Sequence, residues 1–265
     1  ETRYVLSKLF GVKNPNDIAF TSNASAAINL ALKGALQPGQ HVISTSVEHN
    51  SVRRPLEFLV DQIGIRVTYV QANPYGQIDA KQVADAIRPD TAMIVCSHAS
   101  NLLGSLLPIG DIAEIAHRAG AYMVVDAAQT AGTYPVDVQQ LGIDMLAFPG
   151  HKGLLGPQGT GGLYIRPDIE LVPLVHGGTG SRSEDREMPL VRPDRYEGGT
   201  PKTVGIAGLG AGVKVVLNET VQNIHTKEWG HTQRLMEGLM QLDGVTVLGP
   251  RLGEQRAGIV SFLIA

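Results

Sequence analysis

Two residues of opposite charge carry the most chemical information in this sequence. Lys152 stands between His151 and Gly153 in "AFPGHKGLLGPQGTGGLYIR", a glycine-rich stretch flanked by apolar runs. Lysines ordinarily stand in solvent. Glycine neighbours, however, let the backbone pass close to a ligand, and a desolvated amine beside another cation favours its neutral, nucleophilic form. Such an amine forms a Schiff base with an aldehyde. Asp126 closes the apolar run "AYMVV" and is followed by "AAQ". A strand-end aspartate commonly caps the next helix, but a carboxylate at the edge of a buried sheet wants a cationic partner, because an unpaired buried charge is expensive. A protonated ring nitrogen on a cofactor would serve. A Schiff-base lysine with an aspartate on a pyridinium nitrogen describes a pyridoxal phosphate site.

A phosphate cradle should accompany that pair, and "FTSNASAAINLAL" supplies one. Ser22, Asn23 and Ser25 precede an Ala- and Leu-rich helical run. Unpaired backbone N–H groups and the helix dipole at such a start favour an anion. Ordinary N-capping would account for the same residues if the stretch stood alone.

The elements that must position these groups follow from the apolar pattern. "QHVISTSVEH", "IRVTYVQ", "TAMIVCSH" and "AYMVVDAAQ" read as strands, and "DMLAFPGHK" and "GTGGLYIRP" as shorter ones. Between the first four lie "SVRRPLEFLVDQIG", "DAKQVADAIRP" and "IGDIAEIAHRAG", with apolar residues at helical spacing and Gly or Pro near each end. "PKTVGIAGLGAGVKVVLNE" and "KEWGHTQRLMEGLMQL" read as two later helices. The alternation predicts an α/β fold, a mostly parallel sheet flanked by helices on both faces. It occupies residues 1–240, and "GVTVLGP" and "GIVSFLIA" open a smaller α+β unit over 241–265. In such sheets ligands bind beyond the carboxyl ends of the strands. The polar residues there are Glu48, His49 and Asn50; Ser97, His98, Ser100 and Asn101; Asp126 and Gln129; and His151 and Lys152. The polar, Gly- and Pro-rich "HGGTGSRSEDREMPLVRPDRYEGGTP" is a long loop of the kind that usually serves function.

Bulk properties narrow the function classes. In 265 residues, 22 Lys+Arg against 25 Asp+Glu give a net charge of −3, so no strong positive field draws in nucleic acid or an anionic membrane. The single cysteine excludes an internal disulfide framework and paired-cysteine zinc sites, and fits a reducing, cytoplasmic setting. Cys96 lies inside "AMIVC", where a cysteine behaves as a small buried hydrophobe. The spacings of nucleotide-binding glycine loops are absent. A chain that starts at Glu1 and stops within "GIVSFLIA" reads as truncated at both ends.

Taken together, "FTSNASAAINLAL", "SVEHNSVRRPL", "SHASNLLGSLLPI", "VVDAAQTAG", "FPGHKGLLGPQGTGGLYI" and "RYEGGTP" resemble the class V aminotransferase group of fold-type I pyridoxal phosphate enzymes. The likeness is to its cysteine desulfurase and selenocysteine lyase branch, and the motifs occur in the expected order along nearly the whole chain. The resemblance implies Lys152 as the residue that carries pyridoxal 5'-phosphate, Asp126 on the ring nitrogen and His49 stacked over the ring. It implies Asn101 and Gln129 near the ring hydroxyl, with Ala24 N–H, Ser25 and His151 on the phosphate. Thr200 is implied to reach the phosphate of a neighbouring subunit, hence a homodimer. The implied reaction removes sulfur from L-cysteine to give L-alanine and an enzyme-bound persulfide, with a sulfur-acceptor protein as partner. An aminotransferase, epimerase or selenocysteine lyase of the same group remains an alternative, as does a non-catalytic, pyridoxal-phosphate-binding regulatory domain or an inactive fragment. Two departures from the pattern stand out: Pro149 replaces a common Ser or Thr, and Ala24 a common Thr. The group's substrate-binding arginine and sulfur-accepting cysteine correspond to positions beyond residue 265.

Overall fold

Short runs of β-branched and apolar residues, each closed by Gly, Pro or Asx turns, alternate with amphipathic stretches from the first residues onward. The computed structural model describes residues 1–265. In chain order the elements begin with α1 (Thr2–Phe10), β1 (Ile18–Thr21), α2 (Ala24–Ala35), β2 (His41–Thr45), α3 (Asn50–Ile63) and β3 (Arg66–Val70). Next come α4 (Ala80–Asp85), β4 (Thr91–Ser97), α5 (Ile109–Arg118), β5 (Tyr122–Asp126), β6 (Met145–Pro149) and β7 (Gly161–Ile165). The chain continues through α6 (Thr203–Glu219), α7 (Val221–Leu239), β8 (Val245–Leu248) and β9 (Ser261–Ile264). The caps are local chemistry. The α3 helix stops at Gly64, whose φ of 67° is the left-handed conformation that a residue without Cβ adopts freely. Asp79 and Gln82 close a reciprocal capping box on α4.

Seven strands form one sheet in the order β1-β7-β6-β5-β4-β2-β3. The neighbours β2/β3, β2/β4, β4/β5 and β5/β6 are parallel, and β7 alone runs against both of its partners. The sheet is therefore mostly parallel, as the sequence predicts. Parallel strands covered on both faces carry apolar side chains at successive positions. Accordingly all five residues of β2, β6 and β7 are buried. Alternate residues feed two cores. Val125, Leu146 and Phe148 join Phe10 of α1, Ile112 of α5 and Leu209 of α6 on one face. Val124, Met145 and Ala147 join Ile28 and Leu32 of α2 and Leu56 of α3 on the other.

The predicted strands and helices are present, with differences at three places. α1 and β1 were not anticipated: the four-residue β1 is a short edge strand paired only with β7, too brief to show a period. α7 begins at Val221, six residues before Lys227, because Thr220 provides the N-cap by accepting from Asn223 N. The long loop before Thr200 holds a single 3-10 turn, Asp194–Tyr196. β8 and β9 pair antiparallel in a separate two-stranded sheet. No single helix is long and apolar enough to cross a membrane.

Phe148 is fully buried and its ring lies 5.0 Å from that of Phe10. Truncation by Phe148→Ala should cost about 3–5 kcal/mol. Urea denaturation measures it, and a loss near zero would contradict this packing.

Candidate active site

The carboxyl ends of β2, β4, β5 and β6 lie on one edge of the sheet, since their register runs in parallel: Ser97 faces Asp126, and Asp126 faces Ala147. Across that edge lies a cavity of about 250 Å³. Asp126, Lys152, His151 and His49 line it. So do Asn101, Gln129, Ala24 and Ser25, together with Asn23, Ser97 and Pro149. Residues spread over 129 positions of sequence, from Asn23 to Lys152, are thereby gathered at one place.

Two helix starts converge on the cavity. Asn23 caps α2 by accepting from Ala26 N at 2.9 Å, and His49 caps α3 by accepting from Ser51 N at 3.0 Å through Nδ1. An accepting Nδ1 carries no proton, so in the neutral ring the proton sits on Nε2. Ser51 Oγ lies 2.8 Å from that Nδ1 and 2.6 Å from Ser25 Oγ, joining the two helix starts. Ser51 was missed by the sequence reading; histidine as a cap with serine two residues on was the available signal. Both helices turn their positive dipole ends and free N–H groups toward one space, as an anion requires.

Asp126 is 3% exposed, and its carboxylate takes a single hydrogen bond, 2.9 Å from Ala128 N. Burial pushes its pKa above the ordinary aspartate value, opposed by the Ala128 N–H and by the charges of His49 and Lys152. No side-chain cation is hydrogen-bonded to it. A cationic heteroaromatic ring in the cavity would supply what the protein leaves out. The donor set thus fits a group with an anionic end, a cationic ring atom and a carbonyl open to an amine.

Three expectations need correction. Lys152 is exposed in the open cleft, so the protein itself does not desolvate the amine. The flanking glycines are required by the protein's own packing, whatever a ligand adds. A Cβ on Gly150 would lie 2.1 Å from Thr160 Oγ1, and one on Gly153 2.5 Å from Ala131 O. A similar constraint holds Gly161, whose Cβ would meet Asn23 Cα at 2.9 Å, so that β7 can pass beneath the start of α2. Finally, His98, Ser100, Asn50 and Ser22 do not line the cavity. His98 is buried edge-on to Tyr134 and 3.1 Å from Thr130 Oγ1, and burial drops its pKa to about 4. Ser22 lines an adjoining cleft with Thr200, Leu174 and Val175. Within one subunit Thr200 therefore stands apart from the other residues named for the cofactor.

Glu48, expected among the rim residues of this edge, does not line the cavity either. Its carboxylate turns inward behind the cavity wall and accepts from Ser97 N and Ser97 Oγ, both at 2.8 Å, and from Thr45 Oγ1 at 2.5 Å. Burial, with Asp126 acting in the same direction, pushes its pKa up to about 7 against those donors. Cys96 is fully buried, and burial pushes its thiol well up, which makes it a core residue as expected.

The profile of the family described as aminotransferase class-V matches residues 1–265. The chain belongs to this family. Within the class-V group it is 35% identical over 257 residues to a probable cysteine desulfurase of Pyrococcus abyssi, covering 93% of this chain and 63% of that protein. The apo structure of a cysteine desulfurase from Thermococcus onnurineus NA1 superposes with a TM-score of 0.92 at 34% identity, covering 99% of this chain and 67% of that one. A further neighbour is C-DES, solved as a mutant with glycine covalently linked to the PLP cofactor, with a TM-score of 0.90 at 27% identity over 99% of this chain and 71% of that one. The chain spans roughly three fifths of the length of the curated relatives it matches, 61–63% of the first three.

Glu48 predicts a pH signature. Its folded pKa of about 7 lies above the unfolded value of 4.5, so the folded state holds the extra proton between them and stability falls as pH rises through that window. Glu48→Gln should flatten the difference between urea midpoints at pH 5 and pH 7.5. An unchanged difference would show that Glu48 is ionised throughout.

Proposed function

We propose that this chain is the cofactor-binding part of a pyridoxal-phosphate-dependent cysteine desulfurase acting on L-cysteine. The observation that carries the reading is one cavity holding Lys152, a buried Asp126 with no side-chain cation hydrogen-bonded to it, and two helix starts. The names of the relatives supply the substrate. Bound there, pyridoxal phosphate supplies an electron sink for bonds at the substrate α-carbon.

The chain's own residues divide the remaining work. The amine of Lys152 would hold the cofactor aldehyde and, once freed, accept or return a proton at the α-carbon. Asp126 would keep a proton on the ring nitrogen by electrostatic pairing. His49 would cover the ring, oriented through Nδ1 by Ser51. Ala24 N–H, Ser25 and His151 would take the phosphate; Pro149 offers it nothing, having neither hydroxyl nor N–H. Asn101 and Gln129 would face the ring hydroxyl.

The finer assignments complete the reading. The protein is a cytoplasmic homodimer in which Thr200 serves the neighbouring subunit's phosphate; support comes from its place outside its own cavity, in a cleft with the exposed Leu174 and Val175. Residues 1–240 form the cofactor domain and 241–265 open the smaller one, as the separate β8/β9 sheet suggests. The sulfur-accepting thiol, and the lyase or transferase outcome it decides, lie outside this chain, since Cys96 is closed off in the core. A sulfur-acceptor protein then takes the persulfide sulfur.

Protein incubated with pyridoxal phosphate and reduced with borohydride should carry the cofactor on Lys152, and Lys152→Ala should carry none. The same fixed chromophore in that variant would overturn the assignment. In the full-length protein, Asp126→Ala should lower sulfur release from L-cysteine by about 100-fold or more; unchanged turnover would remove Asp126 from the mechanism.

A further inference from the structure

Arg256 is the bulkiest fully buried side chain in the molecule, 1% exposed. No carboxylate pairs with it. Its Nη1 donates to Pro250 O at 2.9 Å and lies 3.1 Å from Met236 S. Its Nη2 donates to Leu103 O at 2.8 Å and Ile259 O at 2.6 Å. Burial disfavours its charged form, and Nε finds no partner. A buried guanidinium held by neutral acceptors alone is a costly device, so what it joins matters. It ties the segment between β8 and β9 to the loop that follows β4.

That loop carries Asn101, on the cavity wall. Three consecutive loop carbonyls are taken by the C-terminal segment. Leu102 O accepts from Ser261 Oγ at 2.5 Å, Leu103 O from Arg256 Nη2, and Gly104 O from Ala257 N at 2.8 Å. Ser105 and Arg256 add an antiparallel bridge. Gly104 has φ 71°, and a Cβ there would lie 3.0 Å from Ile259 O, so the two segments fit closely. Inside the loop, Ser100 Oγ accepts from Leu102 N and Leu103 N, which leaves the outward carbonyls to the partner segment.

We propose that Arg256 is a positioning residue for the cavity: it docks the β8/β9 segment onto the 102–105 loop and so fixes Asn101 at the cavity wall. This rests on the cofactor reading above. The consequence is mechanical. A shift of the C-terminal unit would be transmitted to one wall of the cavity through these hydrogen bonds.

A double-mutant cycle on pyridoxal phosphate affinity, read by absorbance, tests it together with hydrogen exchange of the 101–106 segment in cofactor-free protein. Arg256→Met and Asn101→Ala should each weaken binding about tenfold, and the double variant should be no weaker than either single one. Arg256→Met should also speed exchange of the loop, and Arg256→Lys should restore part of both properties. Independent, multiplying losses, or unchanged loop exchange, would overturn the proposal. Should Arg256→Met fail to fold, Ser261→Ala removes one surface tie of the same clamp; faster exchange at 101–106 supports the clamp and unchanged exchange counts against it. If the unsubstituted protein takes up no cofactor on Lys152, the cofactor reading fails, and loop exchange alone decides the clamp.

Discussion

A carboxylate sealed at the end of a buried strand, with no cation of its own chain bonded to it, is the constraint on which the rest of this structure turns. Asp126 is 3% exposed and holds one backbone hydrogen bond. An isolated protein has no reason to keep such a group, since replacing it with an apolar residue would relieve the desolvation. Its place becomes intelligible when a positively charged ring atom occupies the cavity in front of it. On the proposed reading the helix starts of α2 and α3 on the same cavity would hold the opposite, anionic end, and Lys152 would take the part between.

The scaffold explains why these groups meet. Parallel strands bring all their carboxyl ends to one edge, so Ser97, Asp126 and Pro149 arrive there from β4, β5 and β6. The reversal at β7 turns the chain back after Lys152 and lays Gly161 under Asn23, where any side chain would push the start of α2 away. Gly150 and Gly153 do comparable work against Thr160 and Ala131. The glycine-rich sequence around Lys152 is therefore chiefly a packing device that fixes where the lysine emerges.

Most of this was legible beforehand, and the exceptions share a cause. The long apolar runs of β2, β4, β5 and β6 and the sharp polar residues after them gave both the sheet and its functional edge. Order along the chain gave the rim candidates, because in a parallel sheet the residues after each strand share one edge: His49, Ser97, Asn101, Asp126, Gln129, His151 and Lys152 line the cavity, whereas Glu48, Asn50, His98 and Ser100 do not. What could not be read were contacts between distant segments. Nothing in "SVEHNS" indicates that Glu48 folds inward onto Ser97 while His49 faces the cavity. Nothing near Arg256 indicates that one of its partners is the carbonyl of Leu103, in a loop 153 residues earlier. The exposure of Lys152 was likewise invisible, since glycine neighbours imply closeness without saying to what.

The most direct test is to titrate the Asp126 carboxyl by carbon-13 NMR with and without pyridoxal phosphate. In the cofactor-free protein its pKa should stand above the ordinary aspartate range, and binding should drive it well below. A value that does not move when the cavity fills would contradict the claim that this acid is kept for a cation the protein does not itself provide.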